Sequence, residues 1–190
     1  NSINIVVSAT APPTPASQLS SSVINVYNTS GGSSVFGATL PSNYTTPSGV
    51  SSTGTSFKAV ELSRGGIYEY GRGVFVVYGA IYTKYRSLGG PRHYLGLPIT
   101  NEGDAVRSPR GTTGRYSQFE RGTINWLREK NLTYLVQGAI FQKWASLGYS
   151  GSQLGFPLSD EYSYQGGARS DFEGGWVTWT SQAGAQVVFK

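Results

Sequence analysis

Two segments of this chain are near copies of each other, and this repetition constrains the fold more than any other feature. Residues 79–89 and residues 138–148 are identical at seven of eleven positions, at an offset of 59 residues. Leu-Gly-Leu-Pro at 95–98 and Leu-Gly-Phe-Pro at 154–157 follow at the same distance in both copies. Segments that recur in order at a fixed period indicate supersecondary units that bury their apolar faces against their neighbours. The sequence therefore predicts a repeat domain.

A third pair of segments completes the repeat. Residues 119–126 match residues 172–179, again after the Leu-Gly-x-Pro segment. A degenerate copy precedes both, in which Val23 and Tyr27 keep the spacing of the first apolar positions of the repeat. We therefore predict one repeat domain over residues 23–190, with units at 23–80, 81–139 and 140–190.

Each unit begins with the signals of a short helix. Ile81, Tyr85 and Leu88 recur at i, i+4 and i+7, which places them on one face of a helix. The glycine that follows, Gly89, predicts a left-handed cap at the helix end. The Leu-Gly-x-Pro segment predicts a tight corner, because its glycine can take a positive φ and its proline fixes the next residue.

The rest of each unit has the signals of strands. Alternating residues on both sides of Arg121-Gly122 predict a β-hairpin, and a further strand is predicted at 134–137. The chain has 26 Gly, 9 Pro and many aromatic residues, which favours strands and turns over long helices. We expect a mainly β fold with short helices, built from three tandem pseudo-symmetric repeats. The arrangement is either propeller-like or a compact repeat array.

Residues 1–22 lie outside the repeats and are expected to form an N-terminal strand and a proline-rich spacer. Ile3–Ala9 has the composition of a strand, and residues 11–15 that of a stiff, extended segment. A lone strand pairs either with an edge of its own domain or with a neighbouring subunit. The second alternative implies a homo-oligomer or filament that assembles through Ile3–Ala9.

The repeated segments resemble the LGFP repeat of cell-envelope and other secreted proteins. Residues 138–179 carry nearly its whole pattern, which is G-x-I-x-x-x-W-x-x-x-G, then LGFP, then F-x-G-G-x-I-x-W. The second unit departs from it in having Leu97 for Phe and Tyr85 for Trp, and the first unit keeps only the spacing. The resemblance implies a secreted or cell-envelope location and a role in anchoring to cell-wall polysaccharide. It assigns no catalytic residue.

The composition also gives evidence on whether the protein is secreted. No run of eighteen apolar residues occurs, so no membrane span is expected. Asn28, Asn43 and Asn131 lie in Asn-x-Ser/Thr acceptors and are candidate glycosylation sites of a secreted glycoprotein. The chain has no Cys, which points the other way, because small extracellular domains often use disulfides. Its lack of Met suggests that residue 1 is a processed end.

Charge is placed unevenly along the chain. Residues 1–57 contain no charged side chain, whereas residues 84–130 contain nine basic and four acidic ones, which accounts for the net charge of +5. A basic middle could attract an anionic polymer, although no basic run exceeds single residues, as in a solvated surface. No known nucleic-acid motif is present, so a nucleic-acid partner is not expected.

Residues for catalysis are scarce. His93 is the only histidine and lies in a loop of one unit, and no cysteine or G-x-S-x-G is present, so zinc, thiol and serine hydrolase sites are not expected. Glu120 and Glu173, at matching hairpin positions, are the one credible acid/base pair for a glycoside hydrolase. Their repetition favours a scaffold role. We therefore expect a non-catalytic protein without a cofactor.

The aromatic side chains are better candidates for function, because sugar rings stack on them and hydroxyls bond to neighbouring amides and acids. Trp126 and Trp179 end equivalent hairpins, and Tyr68 or Tyr70 is expected at that place in the first unit. Asn101-Glu102 and Asp160-Glu161 follow the proline corner and could bind hydroxyls or Ca²⁺. In the alternative, Thr100 or Ser159 holds the corner and the acids simply face solvent. The predicted ligand-binding residues are Trp126, Trp179, Tyr116, Trp176, Asn101 and Asp160.

The sequence thus predicts an extracellular module that binds cell-wall or surface polysaccharide. Two alternatives remain open, a self-assembling subunit of a surface fibre or coat and a glycoside hydrolase.

Overall fold

Three antiparallel sheets and four short helices make up the part of the chain that the computed structural model describes, residues 17–190. The expected mainly β fold is confirmed. The helices are α1 (Ser21–Thr29), α2 (Gly32–Phe36), α3 (Gly79–Leu88) and α4 (Gly138–Leu147), and single 3-10 turns lie at Gly90–Arg92 and Tyr149–Gly151. Within residues 17–190, no helix is long and apolar enough to cross a membrane.

Each sheet has four strands joined in chain order. The first contains β1 (Thr46–Val50), β2 (Ser56–Glu61), β3 (Gly65–Tyr70) and β4 (Gly73–Tyr78). The second contains β5 (Gly103–Asp104), β6 (Gly114–Phe119), β7 (Gly122–Leu127) and β8 (Leu132–Gln137). The third contains β9 (Tyr162–Tyr164), β10 (Gly167–Phe172), β11 (Gly175–Thr180) and β12 (Gly184–Phe189). The predicted hairpin of β6 and β7 and the predicted strand within β8 are confirmed.

Helices and sheets alternate in layers. α1 packs on one face of the first sheet, α3 lies between the first and second sheets, and α4 lies between the second and third. In the first sheet, Ile67 faces α1 and its neighbour Tyr68 faces α3, because successive strand residues point to opposite faces. Of the two expected arrangements, the contacts correspond to the compact repeat array.

The predicted helices fill these layers. Ile81 and Tyr85 of α3 are fully buried and Leu88 is partly buried against the same core, and α4 buries Ile140 and Trp144. The helix cap expected at Gly89 is confirmed, since its φ is +111°. Each internal helix is shared by two sheets, so each unit completes its core only with its neighbour.

The Leu-Gly-x-Pro corner is held by a glutamate from the following hairpin. Gly155 has a φ of +70°, and a Cβ there would overlap Oε2 of Glu173. That same Oε2 accepts a hydrogen bond from the Phe156 N–H at 2.9 Å. Gly96 and Glu120 form the same arrangement in the second unit, with Leu97 N–H as the donor. The glycine is therefore required both for its φ and for the space that the carboxylate occupies.

The described residues include only part of the N-terminal segment for which predictions were made. The strand Ile3–Ala9 and the spacer at 11–15 lie outside the described residues. The boundary expected after residue 22 falls inside α1, which begins at Ser21 because Ser20 caps it: the Ser20 hydroxyl oxygen accepts a hydrogen bond from the Val23 N–H at 3.2 Å.

Candidate functional site

Two equivalent surface grooves open where a strand of one sheet passes into the next helix. The first groove, about 300 Å³, is bordered by Trp126, and the second, about 530 Å³, by Trp179. The first is lined by Tyr78, Gly79, Ala80, Ile81, Glu102, Arg115, Trp126 and Asn131. The second is lined by Tyr94, Gln137, Gly138, Ala139, Ile140, Gln142, Glu161 and Trp179.

Strand register places both tryptophans at the same point of the repeat. In β7, Gly122 lies opposite Gln137, and in β11, Gly175 lies opposite Phe189, so the residue four positions further along is Trp126 in one strand and Trp179 in the other. Trp126 lies on the sheet face that packs against α3, and Trp179 on the face that packs against α4. Each borders a groove with the first residues of that helix. Trp179 is 38% exposed, and Trp126 is partly buried against the core. The structure therefore brings two of the predicted aromatics into matching sites.

An ion pair occupies the first groove. Arg115 Nε donates to Glu102 Oε1 at 2.6 Å, and Arg115 Nη2 donates to the Tyr78 hydroxyl at 3.3 Å. Burial raises the pKa of Glu102, against the opposing effect of Arg115. The Trp126 indole N–H donates to Asn131 Oδ1 at 2.9 Å, which fixes the ring plane. The groove thus combines a fixed indole with a guanidinium and carboxylate that both retain hydrogen-bonding capacity.

The second groove has a carboxyl group but, among the residues from 17 onward, no cation in its lining. Glu161 is the counterpart of Glu102, and burial raises its pKa, opposed by the Gln137 side chain. Tyr94 lines the same groove and lies under the guanidinium of Arg121, at 4.9 Å from the ring centroid. This groove therefore offers two aromatic rings, two carboxamides and one carboxyl group.

The start of a helix lines each groove. α3 begins at Gly79 and α4 at Gly138, and neither helix has a side-chain cap at its first turn. The Gly79 N–H donates to Arg64 O and the Gly138 N–H to Arg121 O, which fixes each junction. Helix starts carry backbone N–H groups without an intrahelical partner, which are suitable donors for a polar ligand.

The expectation for the first unit was wrong. Gly65 lies opposite Tyr78 as Gly122 lies opposite Gln137, so the residue equivalent to Trp126 is Glu69, between Tyr68 and Tyr70. The Glu69 carboxylate accepts hydrogen bonds from the hydroxyls of Ser20 and Tyr44. Tyr68 is fully buried. The prediction failed because register is set by the glycine at the start of the strand, whereas we had relied on aromatic character.

Tyr116 and Trp176 lie on the opposite sheet faces from the two grooves. Tyr116 borders a cavity beneath α4, and Trp176 lies under the guanidinium of Arg169, which is 4.3 Å from its ring centroid. The four predicted aromatics therefore do not form one surface.

Asn101 and Asp160 connect neighbouring units. Asn101 Oδ1 accepts from the Val76 N–H at 3.0 Å, and Asp160 Oδ1 accepts from the Leu135 N–H at 2.8 Å. Asp160 also forms an ion pair with Lys84. The alternative in which the acid only faces solvent is wrong, because each side chain satisfies a strand N–H of the preceding unit. Thr100 and Ser159 hold the corner as expected, accepting from backbone N–H groups of β6 and β10.

The residues considered for catalysis are all engaged in structure. Glu120 and Glu173 each bind their own corner and a threonine of the preceding unit, Thr53 and Thr112 respectively. His93 Nδ1 accepts from the Leu95 N–H at 3.2 Å, and burial lowers its pKa. Over residues 17–190, no group of three or more His, Cys, Asp or Glu side chains is placed to hold a metal ion.

The three candidate glycosylation sites differ in exposure. Asn28 and Asn131 are exposed, and Asn43 is half-buried. Asn43 also forms a bridge with Gln18, and the Asn131 side chain contacts Trp126.

Sequence reasoning considered Glu161 only beside Asp160, as a possible oxygen ligand, and did not select Arg115 or Gln137. One signal was present, since Glu102 and Glu161 recur at the 59-residue offset of the repeat. Arg115 and Gln137 have no such counterpart and are assigned only by the folded geometry.

Comparison with known families gives one match. The family model of the LGFP repeat matches residues 95–152 and 154–190, in two adjacent copies that together make up half of the chain. No curated protein matches the chain.

Proposed function

The chain belongs to the LGFP repeat family of cell-envelope repeat modules, and from that premise we propose that it is a non-catalytic extracellular module that binds cell-wall or surface polysaccharide. The observation that carries the proposal is the duplication of the tryptophan groove. A polymer of repeated sugar units presents the same face many times, and two equivalent grooves bind such a ligand with an avidity that neither groove has alone.

The composition of the grooves supports a sugar ligand. Each groove has an indole ring, which stacks on the apolar C–H face of a pyranose. Each also has a carboxyl group and at least one carboxamide, which bond to hydroxyls. Arg128 lies 5.9 Å from the Trp126 ring centroid, so the first groove also tolerates acidic substituents on the polymer.

Removal of the indoles tests this proposal. Trp126→Ala and Trp179→Ala should each weaken retention on purified cell-wall polysaccharide about fivefold, since a stacked ring contributes on the order of 1 kcal/mol. The double variant should lose more than the product of the two, because it also loses avidity. Affinity electrophoresis in gels that contain the polysaccharide measures this directly.

Trp176→Ala is the matched control. It removes the same side chain from the same sheet, but from the face opposite to the second groove. Retention should not change. If Trp176→Ala weakens retention while the two groove variants do not, the binding surface is the other face and the groove proposal fails.

The non-catalytic part of the proposal has its own support and test. Both carboxylates of the glycosidase alternative already accept hydrogen bonds from backbone N–H groups. Incubation with the polysaccharide should release no reducing ends. Release that Glu120→Gln or Glu173→Gln abolishes would establish the hydrolase instead.

One observation favours the self-assembling alternative. The face of the third sheet that carries Trp176 and Val188 corresponds to the faces that α3 and α4 cover in the first two sheets, and in the described part of the chain no helix packs on it. Assembly through this face should give concentration-dependent particles that Val188→Asp disperses. Assembly through Ile3–Ala9 should survive Val188→Asp and be lost when residues 1–15 are removed. A monodisperse monomer at high concentration would refute both.

A further inference from the structure

A cavity of about 140 Å³ lies between the second sheet and α4, away from both grooves. Its inner wall is formed by Asn125, Thr123 and Trp144, which are 1–2% exposed. Val106 and Tyr149 at its mouth are 66% and 41% exposed. A closed apolar cavity of about 150 Å³ binds one benzene-sized ring. The cavity therefore has room for a single ring. It is closed at its inner wall and open to solvent at its mouth.

A buried polar group without a partner lies in this wall. Asn125 Nδ2 is buried and has no hydrogen-bond partner among residues 17–190. Such a group is costly, and a bound ligand, an ion or a water molecule is what commonly satisfies one in a native structure. The neighbouring Thr123 hydroxyl is already used, since it donates to Ser117 O at 3.0 Å. The carboxamide of Asn125 is thus the polar group in the inner wall that is left for a ligand.

The equivalent position in the first sheet is filled. Tyr68 stands where the second sheet has Asn125, as the register shows, and its ring packs edge-on against Tyr85 at 5.8 Å. Gly66 stands where the second sheet has Thr123, and a Cβ there would lie 2.6 Å from the Tyr68 hydroxyl oxygen. One fold position thus holds an aromatic ring of the chain itself in the first sheet, and in the second sheet a ring-sized cavity that no side chain of residues 17–190 fills.

Backbone strain occurs at the mouth of the cavity. Tyr149 has a φ of +57°, at the position where the preceding unit has Gly90 with a φ of +59°. A tyrosine in this conformation is unfavourable, and strain of this kind is retained where it serves a function. Its ring lies 5.5 Å from that of Trp144 and 6.2 Å from that of Phe141, so the strained residue completes an aromatic wall.

Charge narrows the ligand class. Among residues 17–190, Asp104 is the only charged residue that lines the cavity, and its Oδ1 accepts a hydrogen bond from Arg115 Nη1 at 3.3 Å. The described lining contains no cation, so an anionic ring would gain nothing there. Aromatic walls with a carboxamide at the base suit a ring with apolar C–H faces and neutral hydroxyls.

We propose that this cavity is a further binding site, separate from the two grooves, that accepts one neutral pyranose ring, either a terminal residue or a single-residue branch of a glycan. Because the inner wall is closed, the ring enters from the mouth and a chain cannot pass through. The site goes beyond the proposed function, since it binds a chain end or a branch, whereas the grooves bind along the length of a polymer.

Titration with methyl β-glucopyranoside and methyl N-acetyl-β-glucosaminide, followed by NMR of the Asn125 amide and the Tyr149 ring, tests the site. A single ring should bind weakly, with a dissociation constant on the order of 10 mM. Methyl β-glucuronide is the anionic control and should give no saturation. Saturable shifts with a neutral ring alone support the proposal, whereas no saturation, or preferential binding of the glucuronide, overturns it.

Two variants connect the shifts to the cavity. The double variant Thr123→Gly with Asn125→Tyr copies the filled arrangement of the first sheet and should abolish them. Tyr149→Gly relieves the strained backbone and removes one wall, so it should keep or raise the melting temperature while weakening ring binding at least threefold. Tyr68→Phe, in the filled position, is the matched control and should leave the shifts unchanged. Shifts that persist in both cavity variants refute the site.

The outcomes separate this site from the grooves. Ring binding is measured with methyl glycosides and groove binding by retention on polymer, so either can fail while the other holds.

Discussion

Substitution of Gly155 by alanine should be much more damaging than the same change at another glycine of the same conformation. At Gly155, φ is +70° and the added methyl group would overlap Glu173 Oε2 and lie 3.1 Å from the Glu173 Cβ. A left-handed alanine costs about 1–2 kcal/mol. Displacing the carboxylate also leaves the buried Phe156 N–H without its 2.9 Å hydrogen bond, at a further cost of about 1–3 kcal/mol. The expected loss is therefore about 2–5 kcal/mol.

Gly166 is the matched control for this experiment. Its φ is +76°, and no atom of the described residues would lie within 4 Å of an added Cβ. Gly166→Ala should therefore cost only the conformational term of about 1–2 kcal/mol. Urea unfolding followed by tryptophan fluorescence gives both free energies of unfolding. In a Glu173→Ala background most of the excess cost of Gly155→Ala should disappear, and only the part due to the close Cβ contact at 3.1 Å should remain. Equal losses at Gly155 and Gly166, or an excess that is undiminished in the Glu173→Ala background, would refute the role assigned to the carboxylate.

Two further predictions concern charged and polar side chains. Asp160→Ala should reduce the free energy of unfolding by about 1–3 kcal/mol because it leaves the Leu135 N–H unpaired, and Asn101→Ala should do the same through the Val76 N–H. Only the Asp160→Ala effect should become smaller near 1 M salt, because only Asp160 also forms an ion pair with Lys84. Equal salt dependence of the two variants in urea unfolding would contradict this. Burial raises the pKa of Glu161 above its ordinary value of 4.5, so the fold favours the protonated carboxyl, and this favourable contribution is present at acidic pH and lost as pH rises through the raised value. Glu161→Gln should therefore increase stability at pH 7 and flatten its dependence between about pH 4 and 7, whereas a steeper dependence would show that the carboxylate is stabilised by the fold.

The local elements of this fold could be predicted because each has a signal within a few residues. The helix at 79–88 follows from apolar spacing and its glycine cap, and the hairpin from alternation on either side of a glycine. The layer order could not be predicted, because it depends on which sheet face each helix covers, and Tyr68 and Ile67 carry no sign of that choice. Aromatic character also misplaced the first-unit counterpart of Trp126, which is Glu69.

The candidate sites divide in the same way. Trp126 and Trp179 were predictable, since they end equivalent hairpins at matching positions of the repeat. Asn101 and Asp160 were selected for their oxygen atoms, yet each accepts a hydrogen bond from a strand 25 residues before it, a contact with no local signal. Asn125 became a candidate only once the strand register showed that it occupies the position that Tyr68 has in the first sheet. What distinguishes the two is the space left behind, which only packing reveals.

No linker separates one unit from the next in the described part of the chain, and this fixes the distance between equivalent points of neighbouring units. β4 ends at Tyr78 and α3 begins at Gly79, and β8 ends at Gln137 where α4 begins at Gly138. Because each of these helices is also clamped between two sheets, the units have no joint about which to pivot. The two tryptophans are therefore held at one separation. Under the function proposed above, a glycan would bind both only if its own repeat placed suitable rings at that distance.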